Sequence, residues 1–403
     1  MDALSAYAPD DFASALSLEF IDTRAAFKAL EMEWTDLFQR AGRSEQLFQS
    51  FGWLWHWCHH FLSPDDRRQS LAIVAGRRNG ILVLVCPFVV TTSSGVSALT
   101  FMGDPVSQYG DVLIEGGADA HSDLKAAFDF VLAMTRVDVL HLRKVRSDAA
   151  LAPLLLERGA LVIETQQAPH LTFDGPRDYS VFEHRYPKSA RKNRKRQMRR
   201  LQETGATSFV RLAAGPEASD VAGRAVHLKR DWLRVRGLVS AAITDTRTEA
   251  FFRDCASGNG PKSGVEVGVV RSNGDVAAIE IAIHCKDRVA VHLIAYDAQF
   301  EKTGAGALLM EDSIRRAFES GMATFDLLAP GAAYKLEWAD RVVDVSDYAL
   351  ALNFKGKVYT SAYLARLRPA AKVLHEHLPM AVRRHLATIV GAMLLISDRA
   401  GVT

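Results

Sequence analysis

The stretch VEVGVVRSNGDVAAIEIAIHCKDRVAVHLIAYDAQFEKTGAGALLMEDSIRRAFESGMATFDLLAPGAAYKLEW, Val265 to Trp338, decides how the chain folds. Its β-branched runs are separated by the short turns RSNG (Arg271–Gly274) and KDR, which predicts a meander of antiparallel strands. A Gly-containing loop, EKTGAGA, then a helix, LLMEDSIRRAFESG, and a strand, ATFDLLA, read as a β-loop-α-β crossover. A helix that starts behind such a loop presents free backbone N–H groups, which suits a pyrophosphate.

Working outward, LAIVAGRRNGILVLVCPFVV from Leu71 parallels VEVGVVRSNGDVAAIEIAIHC, and the helix and strand over 122–145 parallel 307–329. This is an internal repeat too long for a solenoid, and it predicts two similar α/β domains. The expected division is 1–180, a basic helical segment 181–206, 207–355, and a helical tail 356–403. At 403 residues, 48% hydrophobic and 24% charged, the chain has the make-up of a globular protein large enough for two cores. A net charge of +2 excludes a generally polyanion-coating surface, so any affinity for anions must be local. Cys58, Cys86, Cys255 and Cys285 show no CxxC spacing, which argues for reduced core thiols and against a metal site. The N-terminus lacks a signal pattern and no apolar run reaches spanning length, so a cytoplasmic location is expected.

The segment LFQSFGWLWHWCHHFL holds Trp53, Trp55, Trp57, His56, His59 and His60. A metal reading is weighed against an apolar helix packed on a sheet, and the second is favoured because adjacent His point in different directions. From Arg185 to Arg200, nine of sixteen residues are Lys or Arg and none is acidic. Pro187 suits the helix start and Gly205 its end. Lys188, Arg191, Lys192, Arg194, Lys195 and Arg199 form a candidate surface for anionic lipid headgroups, CoA phosphates or nucleic acid. Nucleic acid is the least favoured, because no aromatic residues alternate with the charges. The plain alternative is a solvated helix pairing with acidic neighbours. In EASDVAGRAVHLKRDWLRVRGL, Trp232 reads as core and Arg236 as reaching an acid or a phosphate. Near the C-terminus, Arg383, Arg384 and His385 precede the apolar run Leu386–Ile396, which suits either an interfacial helix or one packed on the second domain.

AYDAQFEKTGAGALLMEDSI followed by FDLLAPGAAYKLEWA resembles the second half of GNAT acyltransferases, specifically the FemAB-like and CelD/BcsL-like branch of bacterial envelope biosynthesis. The resemblance covers roughly residues 20–350. It implies two GNAT-like domains in tandem, with mixed, mostly antiparallel sheets flanked by helices and a degenerate first copy that shapes the acceptor cleft. It also implies acyl-CoA as co-substrate, held at Lys302, Thr303, Gly304, Ala305, Gly306 and Ala307. The usual Arg/Gln- and Gly-rich phosphate loop is thinned here to Gly304 and Gly306.

Acyl transfer to an amine needs a base for the ammonium proton and a donor for the departing thiolate. Glu280, alone among isoleucines, is the first candidate base, because burial would raise its pKa; His292 on the adjacent strand is the second. Asp326 lies at a strand end, Tyr334 is the expected thiolate donor, and Lys335 is expected to pair with a phosphate or with Asp326. No Ser or Cys nucleophile with a nearby base is legible, which favours direct transfer. The expected activity is N-acylation of an envelope amine, preferably a lipid amine such as a sphingoid base (a ceramide-synthase-like reaction), at the inner face of the membrane. The competing readings are acetylation of an exopolysaccharide, cellulose-type or amino-sugar acceptor, a Fem-type aminoacyl-tRNA-dependent ligase, and a non-catalytic accessory protein. The absence of sustained heptads counts against the ligase.

Overall fold

A computed structural model describes residues 15–63, 66, 68–175, 178–379 and 382–383. The apolar run Leu386–Ile396, with Arg384 and His385, lies outside the described residues. The first half supplies β1 (Ser17–Ile21), β2 (Gln69–Arg78), β3 (Ile81–Ser93), β4 (Val96–Phe101), β5 (Leu113–Ile114), β6 (Val139–Arg146) and β7 (Leu161–Thr172). The second supplies β8 (Thr207–Leu212), β9 (Val265–Ser272), β10 (Asp275–Cys285), β11 (Arg288–Tyr296), β12 (Thr324–Asp326) and β13 (Arg341–Ala351). The repeat is visible in the turns. Asn79–Gly80 joins β2 to β3 and Asn273–Gly274 joins β9 to β10, all four residues at positive φ, as a tight hairpin with matching twist requires.

The strands form one continuous sheet in the order β1-β2-β3-β4-β6-β13-β7-β12-β11-β10-β9-β8. The two halves have exchanged their last strands: β13 lies against β6, while β7 lies against β12. β7 and β13 also pair with each other antiparallel, from Arg341↔His170 to Ala349↔Leu161. A sequence boundary near 180 therefore crosses a hydrogen-bonded ladder that holds the two repeats as one body.

Burial follows the same pattern. One core joins Trp34, Trp53 and Trp57 of the first half to Phe251, Phe252, Ile279 and Ile281 of the second. The helix Phe51–Phe61 takes the plain reading: Trp53 Nε1 donates to Ser107 Oγ (2.8 Å) and Trp57 Nε1 to the Asp104 carbonyl (2.9 Å). His56 and His60 both bond to Asp254 Oδ2, at 2.8 and 3.1 Å. All four cysteines are free and buried. The last strand, β13, runs from Arg341 and stops at Ala351, because Asn353 caps a new helix by accepting from the Gly356 amide (2.9 Å). No helix of the described residues is long and apolar enough to cross a membrane.

Candidate active site

β11 pairs with β12 only over Arg288–Ala290. β12 ends at Asp326, opposite Ala290, and beyond that point Ile294, Ala295 and Tyr296 line a cavity of about 480 Å³ with this edge of β11 unpaired among the described residues. β11 also carries a bulge: Leu293 faces Ile281 and Val291 faces Ala282 on β10, leaving His292 without a partner. The cavity's other walls are Gly304–Ala307 and Met310 of the helix Ala305–Glu319, the basic helix Lys188–Gln202, Lys229 and Trp232 of the helix Pro216–Val235, and Tyr334, Glu337 and Trp338.

The glycine loop is shaped for an anion. Gly304 sits at φ +75°, where only glycine is relaxed, and a Cβ there would collide with the Gln197 amide. Ala307 N–H already bonds to the Gly304 carbonyl (3.0 Å). The Ala305 and Gly306 amides are left without a protein acceptor among the described residues. Of the expected phosphate loop, Gly304, Ala305, Gly306 and Ala307 line the cavity. Lys302 is exposed away from it, and the buried Thr303 hydroxyl turns back to the Phe300 carbonyl (2.7 Å).

Cations surround the same space. Burial holds the Lys229 ammonium below its usual range, with Arg236 acting in the same direction; it lies 4.4 Å over the Trp232 ring and makes no ion pair among the described residues. Arg236 covers the ring's other neighbourhood at 4.3 Å and bonds to Glu301 (2.5 Å). Trp232 Nε1 donates to the Tyr296 hydroxyl (2.8 Å). Trp232 is thus a cavity wall rather than core, while Arg236 reaches an acid as expected.

The basic helix is only partly the solvated surface its composition suggests. Arg194 is a correction: it is buried, bonds through Nε to Glu311 (2.6 Å), and stacks on Tyr186 and Trp338 at 4.7 and 4.6 Å. Stacking a planar guanidinium between rings while pairing it with a carboxylate is what allows Arg to be buried. Lys188, Arg191, Lys192, Lys195 and Arg199 make no ion pair among the described residues, so the alternative of pairing with acidic neighbours does not apply to them.

Tyr334 is the one expected catalytic residue on the cavity wall. The residue is 55% exposed, and partial burial raises its phenol above the usual range. Three residues on, Glu337 lines the same wall with no ion pair among the described residues. Helical spacing puts the two side by side; Glu337, Lys229 and Gln197 went unnoticed in the sequence because nothing local marks them. Glu280 requires correction: it is fully buried on the far side of the strand from the isoleucines. It accepts from Arg211 (2.9 Å) and Ser313 (2.7 Å). Burial does raise its pKa as expected, but Arg211 and Ser313 oppose the shift and occupy the oxygens.

His292 lies among Phe48, Trp53 and Phe252. Its Nε2–H donates to the Val106 carbonyl (2.6 Å), which leaves Nδ1 buried and unpartnered, and burial lowers its pKa to about 4. Asp326, also fully buried, accepts from Tyr109 (2.9 Å), Arg288 (2.8 Å) and the Leu328 amide (2.9 Å), a structural junction between the halves. Lys335 makes no ion pair with Asp326: its Nζ donates to the Leu328 carbonyl (2.9 Å), and burial lowers its pKa to about 8.

Residues 188–336 match the family model described as the acetyltransferase (GNAT) domain. That match defines a class: this part of the chain is the domain of an N-acyltransferase enzyme. Among solved structures, FemX is 9% identical with a TM-score of 0.58, over 85% of this chain and 99% of that one. A conserved protein of unknown function from Bacteroides thetaiotaomicron is 11% identical (TM-score 0.52), over 83% of this chain and 100% of that one. The C-terminal domain of a putative lysylphosphatidylglycerol synthetase from Agrobacterium fabrum is 10% identical (TM-score 0.50), over 83% and 95%. These likenesses show a shared fold over most of the chain. No curated protein matches the chain.

Proposed function

We propose that the protein is an acyl-CoA-dependent N-acyltransferase acting on an amine of a bacterial envelope component, a lipid amine such as a sphingoid base being the preferred acceptor. What supports it is the meeting, on one cavity, of an unpaired strand edge and two free helix N-terminal amides. An acyl-CoA supplies a thioester already activated towards amines. The Ala305 and Gly306 amides would hold its pyrophosphate, with Lys229 a cation on the same cavity wall that makes no ion pair among the described residues. The open edge of β11 beyond Ala290 can hydrogen-bond the amides of a pantetheine arm as an added strand would. Aliphatic and aromatic lining from Ile294, Met310 and Trp338 suits the apolar part of a lipid-like substrate.

The chemistry then falls to Glu337 and Tyr334. Glu337 takes the proton from the acceptor's ammonium, so that the neutral amine attacks the thioester carbon. As the carbon–sulfur bond breaks, Tyr334 delivers its phenolic proton to the sulfur, and the nitrogen, now bonded to the acyl carbon, gives up its second proton to restore the phenol. No covalent enzyme intermediate is required. The unpaired cations Lys188, Lys192, Lys195 and Arg199, on the helix that forms one cavity wall, would draw an anionic donor or a headgroup towards it.

Binding is tested by thermal unfolding with free CoA, acetyl-CoA, palmitoyl-CoA and tRNA. A ligand at about 100 times its Kd adds about 2.7 kcal/mol. Preferential stabilisation by palmitoyl-CoA, followed by acylation of a sphingoid base, is the expected result. Preference for acetyl-CoA would turn the acceptor to an amino sugar or exopolysaccharide, and tRNA alone would turn the protein into a Fem-type ligase. Indifference to every CoA would end the acyltransferase assignment of the cavity.

A further inference from the structure

Residues 354–377 form one continuous helical rod: an α segment Phe354–Val358, a π segment Tyr359–Leu367, and an α segment Arg368–His377. Only Gly356, Thr360 and Leu364 are buried along its first two segments, four residues apart, the spacing that the wider π turns keep in line. Gly356 is required at that contact, because a Cβ there would run into the Asp138 carbonyl. The side turned away from this stripe is apolar and open. Phe354 is 82% exposed, Val358 52%, Leu367 62% and Leu374 66%. Every other helix of the described residues carries at most one large apolar side chain that is more than half exposed. Single exposed apolar groups are ordinary, but a row of them marks a surface that something covers.

Charge identifies the cover. From Phe354 to His377 the sequence has five Lys or Arg (Lys355, Lys357, Arg366, Arg368 and Lys372) against one acidic residue, Glu376, at the helix end. Lys355 and Arg368 are anchored to the body of the protein, near Asp138 (2.9 Å) and Asp347 (3.9 Å). Two copies meeting through this helix would set one cationic surface against another, and a nucleic acid would leave the apolar row in water. An apolar stripe flanked by cations fits the boundary between acyl chains and anionic headgroups.

We infer that the helix 354–377 docks the protein on an anionic lipid bilayer, with Phe354, Val358, Leu367 and Leu374 entering the interface. This surface is separate from the cavity and stands whether or not the cavity binds CoA. The full-length protein is mixed with extruded vesicles of phosphatidylglycerol and phosphatidylethanolamine, or of phosphatidylcholine alone, and the bound fraction is read by flotation. Binding to the anionic vesicles is expected, weakening with added salt, with little binding to phosphatidylcholine. The variant Phe354→Ser/Leu367→Ser/Leu374→Ser, altered only at exposed positions, should keep its Tm and lose at least 10-fold in vesicle affinity. Met32→Ser/Leu156→Ser, at exposed apolar positions of two other helices, should change it less than 3-fold. Absence of binding to anionic vesicles, or undiminished binding of the serine variant, would overturn the inference. So would a serine variant that turns a dimer into a monomer while still binding vesicles.

Discussion

Arg211 on β8 reaches Glu280 on β10 by crossing Gly268 on the strand between them. The three residues face one another in register, and any Cβ on Gly268 would occupy the guanidinium's path. The acid that looks most like a base in the sequence is thereby a buried ion pair, completed by the Ser313 hydroxyl.

Removing one partner of such a pair leaves the other charged and buried. Glu280→Ala should cost about 3 kcal/mol in chemical denaturation, and Gly268→Val a similar amount by displacing Arg211. Folded Glu280→Gln should keep acyl transfer within about 5-fold of wild type. A loss of 10³ or more in the folded variant would return Glu280 to the role of base.

The glycine loop separates folding from binding. A Cβ on Gly306 would meet Ile294 and Tyr296 at ordinary contact distance, 3.4 Å, so Gly306→Ala should fold normally. Gly306→Val, with two further methyls aimed at those side chains, should weaken CoA binding at least 10-fold in titration calorimetry. Unchanged affinity in the valine variant would place the donor elsewhere.

Tyr334→Phe and Glu337→Gln alter half-exposed or exposed side chains and should leave Tm within about 2 °C. Each should lower kcat by about 10²-fold or more with little change in KM for the acyl-CoA, as expected for general acid–base groups. If His292→Asn is the damaging variant and Glu337→Gln is not, the base is His292 Nδ1.

Stability should depend on pH in a definite direction. His292 is held to about 4 in the folded protein against 6.5 in the unfolded chain, so between these values the unfolded chain binds the proton. Folding free energy must therefore fall as pH drops from about 6.5 to about 4, by at most about 3 kcal/mol from this residue. His141, also lowered to about 4 by burial, acts in the same direction. Urea melts of wild type and His292→Asn at pH 7 and pH 4.5 should differ less for the variant; equal slopes would mean that the imidazole is not held neutral.

The sequence by itself determined the local elements, because those depend on neighbours a few residues apart. The Asn-Gly hairpins, the Gly304 helix start and the tandem repeat of strands and helix all follow from turn chemistry and hydrophobic period. It also marked Tyr334 and Gly304–Ala307, which line the cavity. Only the tertiary structure decided which strands meet. The exchange of β7 and β13 between repeats leaves no local trace, since either partner offers the same ladder of hydrogen bonds. The same holds for the fate of each charge. Glu280 and Arg194 were neutralised by residues 69 and 117 positions away, whereas Lys229 and Glu337 were left facing a cavity. A side chain's chemistry depends on its partners in space, and pairing across such separations is set by the packing of the whole sheet.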